Sequence, residues 1–172
     1  MNKFKMSERG LEVLMELEGI ENVIYKDVAG YPTVGVGHLL TKDELSSGKI
    51  VLSDGQVIDL REGRITDSEV KALLQDDIVR YEDAVNLYVT VAITQEHFDA
   101  LTSFTFNVGA GAFSRSTLLR RLNAKRYADV PAQFKRWNRA GGRVVKGLIN
   151  RRNVEIAMWS TKRDGIDYSN YA

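Results

Sequence analysis

The stretch ELEGIENVIYKDVAGYPTVGVGHLLT, residues 16–41, changes period in its middle, and that change decides how the chain is read. Behind a capping Ser7, the apolar residues recur with helical spacing. At about 100° per residue, Leu11, Val13, Leu14, Met15 and Leu17 share one broad arc, and Gly19 ends the helix. Beyond Gly19 the pattern becomes that of strands: Val23 to Lys26 and Thr33 to His38 form a hairpin with a turn through Ala29 and Gly30. Glu8, Glu12 and Glu16 make the wet face of the helix, whereas Glu18 falls inside the apolar arc. Two readings follow from that position. Either Glu18 is buried with a perturbed pKa, the environment of a general acid, or the helix frays by Gly19 and leaves it solvated. Asp27 ends the first strand and Thr33 opens the second, so the turn is expected to set them opposite each other. One carboxylic acid and one carboxylate beside water are the minimum apparatus for cleaving a glycosidic bond through an oxocarbenium-like transition state.

Working outward, Thr41 with Glu44 and Thr66 with Glu69 are capping boxes, and Ile50 to Asp59, centred on Asp54 and Gly55, reads as a second hairpin. From Thr66 the chain turns helical. Val70, Leu73, Leu74, Ile78, Tyr81 and Val85 keep one stripe, and further helices start near Thr94, Ser116, Tyr127 and Gly147. The pattern predicts an α+β fold with an α/β lobe over 1–65, a connecting helix over 66–87 and an all-α lobe over 88–172.

The chain has 172 residues, 44% of them apolar, and no cysteine, which excludes disulfides, thiol nucleophiles and zinc sites built on Cys. No apolar run approaches the ~20 residues of a membrane span. The amino terminus carries Lys3, Lys5, Glu8 and Arg9 without an apolar signal core. His38 and His97 lack the spacing of a metal site, and the glycines make no phosphate or dinucleotide loop. Charge is segregated: 1–114 hold 10 basic and 19 acidic residues, and 115–163 hold 14 basic and 2 acidic. Such a basic region suits a polyanionic partner, whether nucleic acid, an anionic leaflet or the bacterial envelope, or else forms a solvated face.

Glu18, eight residues, Asp27, five residues and Thr33 resemble the catalytic signature of the bacteriophage-type lysozymes, the muramidases of the T-even and lambdoid phages. The resemblance continues through ITDSEVKALLQDDI, FNVGAGAF with STLLRRLN, and WNRAGGRVVKGLINRRNVE, nearly the whole chain. It implies the two-lobed lysozyme-like fold. It also implies that Glu18 protonates the glycosidic oxygen, that Asp27 supports the oxocarbenium charge or activates water, and that Thr33 helps position that water. Arg151 and Arg152 become candidate cations for Glu18, without a choice between them. His38 and Asp77 become a structural pair, which fits Asp77 interrupting the apolar stripe between Leu74 and Tyr81. Asn107 is implied to bind a sugar or orient Glu18, although it could equally cap a helix before Gly109. Trp137 and Asn138 could line a sugar groove, Trp137 being otherwise a core residue.

The implied activity is an endolysin's: hydrolysis of the β-1,4 bond between N-acetylmuramic acid and N-acetylglucosamine of peptidoglycan glycan strands, with inversion and no cofactor or metal. A monomer without a transmembrane segment is expected, accumulating in the host cytoplasm and reaching the periplasmic wall after a holin opens the inner membrane. A lytic transglycosylase shares the catalytic glutamate but typically lacks the second carboxylate. A nucleic-acid- or envelope-binding protein would explain the basic region and leave Glu18, Asp27 and Thr33 without a role. Nucleic acid is therefore not an expected partner.

Overall fold

Gly19 ends the first helix, α1 (Glu8–Glu18), where its spacing predicts: with φ +78° it returns its N–H to the Met15 carbonyl at 2.9 Å. The computed structural model describes residues 3–161. They fall into two units, Leu11–Val79 in one, and residues up to Gly10 with those from Arg80 onward in the other.

In the unit Leu11–Val79, β1 (Glu21–Lys26), β2 (Pro32–Gly35) and β3 (His38–Leu39) form an antiparallel sheet in that order. Thr41 and Glu44 cap α2 (Lys42–Ser47) reciprocally, and β4 (Lys49–Val51) pairs with β5 (Val57–Asp59) around Gly55, Ile50 facing Ile58. Thr66 and Glu69 close the same box on α3 (Asp67–Asp77). Val70, Leu73 and Leu74 of that helix are buried. Helix α3 packs on β2 at Gly35, where a β-carbon would stand 3.6 Å from Leu73 and where φ of +71° also favours glycine.

The expected single helix over 66–87 is two helices, α3 and α4 (Val79–Tyr88), broken at Ile78. The Ile78 amide is shared between the Leu74 and Asp76 carbonyls, which tightens the turn, and the boundary between the units follows at once. Nor do residues 3–10 belong with the α/β elements, as a lobe over 1–65 would have it. Phe4 stacks on Phe98 at 5.2 Å, and Met6 donates its N–H to Glu82 at 2.6 Å. Ser7 gives both its N–H and its hydroxyl to Asp99, and its oxygen also caps Gly10 N–H. These partners lie on α4 and α5 (Gln95–Val108), whose side chains no local pattern in the amino terminus could reveal.

In the second unit α5 is buried on every side from His97 to Thr105, as a central helix must be. Around it come α6 (Ala110–Ser114), α7 (Thr117–Asn123), a 3-10 turn (Tyr127–Asp129), α8 (Val130–Lys135), the hairpin β6 (Arg139–Ala140) and β7 (Arg143–Val144), and α9 (Lys146–Trp159). Phe104, Phe113, Phe134 and Trp159 fill the core. His97 stacks on Trp159 at 3.8 Å, and burial pushes its pKa down to about 4.

His38 Nδ1 lies 2.9 Å from Asp77, and Nε2 lies 3.2 Å from Glu44. Burial pulls the imidazole pKa down, but hydrogen bonds and charge from Asp77 and Glu44 outweigh it, so His38 sits above 6.5. Asp77 is not buried as the apolar stripe suggests, since 30% of its side chain is exposed. Its pairing energy is correspondingly reduced by solvent screening. A group whose pKa rises on folding stabilises fully below its unfolded value near 6.5 and loses that contribution as pH climbs through the folded value. Asp77→Asn is therefore expected to cost about 1–2 kcal/mol at pH 5.5 and less at pH 8.5, measured by denaturant unfolding at both pH values.

Candidate active site

Glu18, Asp27 and Thr33 all lie in the unit Leu11–Val79, on consecutive elements. Glu18 is the last residue of α1 and is exposed, so the solvated alternative holds and the buried one does not. The reason lies in the helix: Leu11 and Leu14 of the apolar arc are buried, but Leu17 is only half-buried, so burial has lapsed by the final turn.

Asp27 is half-buried, just past β1, and its carboxylate organises the turn that follows. Oδ1 accepts the N–H groups of Ala29 and Tyr31, both at 2.9 Å, while the Asp27 N–H donates to the Tyr31 carbonyl. Two amides on one oxygen fix the orientation of the carboxylate and leave its other oxygen for substrate or water. The hairpin register differs from expectation, for Thr33 pairs with Tyr25 and the loop holds Asp27 itself. Thr33 is instead linked to Asp27 through Tyr31: its hydroxyl donates to the Tyr31 carbonyl at 2.9 Å, the same carbonyl that accepts from Asp27. At 2% exposure Thr33 is a buried brace of this turn, with lone pairs still able to accept.

The other candidates gather in the second unit around one side chain, Arg152, on α9. Its Nε donates to the Trp137 carbonyl at 2.9 Å, one terminal nitrogen donates to Asn107 Oδ1, and the other donates to Glu155. Its guanidinium also stands 4.9 Å from the centre of the Phe104 ring. Asn107, near the end of α5, is exposed, yet its side-chain oxygen holds Arg152 and does not cap the helix. Trp137 is half-buried, edge-on to Phe104 at 5.3 Å. Asn138 is half-buried, and its carbonyl accepts the Val145 N–H at 2.9 Å.

Arg151 is buried as well; its Nε reaches Glu155 at 3.3 Å and a terminal nitrogen donates to the Ser103 carbonyl at 3.0 Å. Glu155 has no exposed surface, and it also receives the Ser103 hydroxyl at 2.7 Å. Burial raises the Glu155 carboxyl above its ordinary value against the pull of Arg152, Ser103 and Arg151, and burial lowers Arg152. Glu155 escaped the sequence reading. The signal was present, since RRNVE sets one carboxylate at i+4 from Arg151 and i+3 from Arg152. Replacing Glu155 with Ala strands two guanidinium groups in the interior. A loss of about 3–5 kcal/mol in unfolding free energy is expected, read from a denaturant titration.

Comparison with known proteins gives this geometry a family. The phage lysozyme family model matches residues 15–155. The SAR-endolysin of Escherichia phage Mu is 40% identical over 149 residues, which are 87% of this chain and 77% of that protein. The endolysin of Bacillus phage PZA is 37% identical over 159 residues, 91% of this chain and 55% of that one. The chain thus spans about half the length of the two Bacillus phage endolysins it matches. Among solved structures, a variant of P22 lysozyme has a TM-score of 0.76 at 33% identity, covering 92% of this chain and 99% of its own. The muramidase domain of SpmX from Asticaccaulis excentricus has a TM-score of 0.74 at 31% identity, covering 92% and 99%. With the family match running from the middle of α1 to Glu155, and relatives this similar over most of its length, the chain belongs to the phage lysozyme family.

Proposed function

We propose that this protein is an endolysin that hydrolyses the β-1,4 bond between N-acetylmuramic acid and N-acetylglucosamine in bacterial peptidoglycan. The observation that carries the reading is the Asp27 turn: an ionisable carboxylate held by two amides through one oxygen, in a chain of the phage lysozyme family. Glu18 donates its proton to the bridging oxygen as the bond from the muramic acid anomeric carbon to that oxygen breaks, and Asp27 faces the charge that develops on the sugar. Water adds from the opposite side, giving its proton to Asp27, so the product forms with inversion. Thr33 acts by keeping the Asp27 turn in place and by accepting a hydrogen bond from that water. Asn107, Trp137 and Asn138 contact the glycan, and Arg151 and Arg152, paired with Glu155, hold the backbone and side chains that present those three residues. The enzyme works as a monomer without a cofactor, and it accumulates in the host cytoplasm until a holin opens the inner membrane to the wall. Its detection in the periplasm before holin action overturns that route.

The deciding experiment is mass spectrometry of fragments released from purified peptidoglycan by the wild type and by Glu18→Gln. Reducing-end N-acetylmuramic acid from the wild type alone is expected, with Glu18→Gln slower by about a thousandfold, the scale of a general acid. Anhydro products would instead make the enzyme a lytic transglycosylase, and no fragments from either protein would refute the reading. Asp27→Asn keeps an amide oxygen able to accept from Ala29 and Tyr31, so it should fold normally and lose most activity. Asp27→Cys is expected to retain part of it as a thiolate; an Asp27→Asn enzyme at full rate would remove Asp27 from the mechanism.

A further inference from the structure

Residues 3–7 have no regular secondary structure, yet each of Phe4 to Ser7 has a backbone group bonded to a side chain of α4 or α5. Asn86 accepts the Phe4 N–H and donates to the Phe4 carbonyl, both at 2.9 Å. Gln95 donates to the Lys5 carbonyl at 2.7 Å, Glu82 accepts the Met6 N–H, and Asp99 accepts from Ser7. Phe4 adds its stack on Phe98. Gln95, Phe98 and Asp99 all stand near the start of α5, so the segment is held largely by the beginning of that helix.

His97 sits in the same turn and closes its cap. Thr94 Oγ1 accepts the His97 N–H at 3.1 Å, and His97 Nδ1 accepts the Thr94 N–H at 3.3 Å, a capping box with an imidazole where Glu or Gln is usual. A ring nitrogen that accepts carries no proton, so the neutral imidazole is protonated at Nε2, which is buried without a hydrogen-bond partner. The ring, 2% exposed, is flanked by Trp159 of α9 and by Tyr127 of the 3-10 turn, whose hydroxyl donates to the Ala92 carbonyl. Among the described residues no charged group shifts its pKa: burial alone lowers it, and the charge of neighbouring Glu96 bears on Asp99. A second proton must therefore enter at Nδ1, where it meets the Thr94 N–H donor to donor and leaves a cation in the core without a counter-charge.

We propose that His97 makes the start of α5 an acid-released clasp for the amino-terminal segment: proton uptake at Nδ1 opens the Thr94 capping box, frays the turn that bears Gln95, Phe98 and Asp99, and frees residues 3–7. A base whose pKa falls on folding stabilises fully above its unfolded value near 6.5, and that contribution is lost as pH drops toward about 4. The carboxylates that hold the segment act the other way. Burial raises Glu82 and Asp99, with Lys3, Lys5 and Asp83 facing the first and Ser7, Gln95 and Glu96 the second, so their hold weakens as pH rises. His38, raised on folding, likewise stabilises in acid. Release of this segment as pH falls below 6.5 is therefore the mark of His97.

The chain has 2 histidines, so the wild type is titrated by imidazole NMR, with His38→Gln assigning the resonances. His97 is expected to stay neutral, as the Nε2–H tautomer, down to about pH 4.5. Hydrogen-exchange mass spectrometry then reads the protection of the Phe4, Met6 and Ser7 amides at about pH 7.5 and about pH 4.5. It is applied to the wild type, to His97→Gln, which keeps an acceptor for the Thr94 N–H, and to His97→Phe, which keeps the ring stack. Wild-type protection of the segment is expected to fall about thirtyfold at the lower pH while α9 stays protected, and to fall no more than about twofold in either variant. A His97 that titrates at 6.5 or above, held as a cation by the Trp159 face, overturns the proposal. So does wild-type protection that is the same at both pH values, a fall of equal size in either folded variant, or loss of α9 protection in step with the segment, which makes acid opening global. Should neither variant fold, the wild-type titration and the segment-specific loss of protection still decide it.

Discussion

A carboxylate with no exposed surface, Glu155, holds the second unit's polar interior together. Arg151 and Arg152 neutralise it, and the Ser103 hydroxyl completes its hydrogen bonds. Removing two guanidinium groups and a carboxylate from water is expensive, and the arrangement survives because nearly every polar atom finds a partner. The remaining donors of Arg152 then extend outward, to Asn107 at the end of α5 and to the backbone at Trp137. Three segments far apart in sequence are thus tied to one side chain, and the β6–β7 hairpin inherits a rigid base from it.

In the unit Leu11–Val79, the turn after β1 obeys a similar economy on a smaller scale. Asp27 serves as a turn residue and keeps a carboxylate oxygen open. Thr33 and Asp27 share the Tyr31 carbonyl, so the hydroxyl, the turn and the carboxylate are mechanically one object. In the proposed mechanism, that coupling is how a residue only 2% exposed acts on the chemistry. Glu18 has the opposite character: it ends a helix, faces solvent, and owes its position to Gly19 turning the chain into β1.

Much of this was legible in residue types because the forces involved are local. Capping boxes at Thr41 and Thr66, the positive φ at Gly19 and Gly55, and the change of period after Gly19 each depend on a few neighbouring residues, and the structure has them where the sequence predicts. The proposed trio of Glu18, Asp27 and Thr33 was legible in a different way, through its spacing and its family resemblance. Its detailed geometry was not. The helical wheel placed Glu18 among apolar residues, but a wheel knows only direction, and whether anything covers that direction depends on the rest of the fold.

By itself the sequence determined most element types, their order, the segregated charge and the family, since periodicity, capping and motif spacing are properties of contiguous residues; the expected all-α lobe over 88–172 instead carries the β6–β7 hairpin, whose two-residue strands are too short to show a period. Tertiary structure alone decided which buried charges meet. It joined Ser7 to Asp99 and Met6 to Glu82, moving residues 3–10 into the second unit. It broke the long helix at Ile78, set Thr33 against Tyr25, and gathered Asn107, Trp137 and Glu155 around Arg152. The physical reason runs through these contacts: a buried polar atom must find its partner wherever the chain brings one, and the satisfying residue stands anywhere from 2 to 92 positions away.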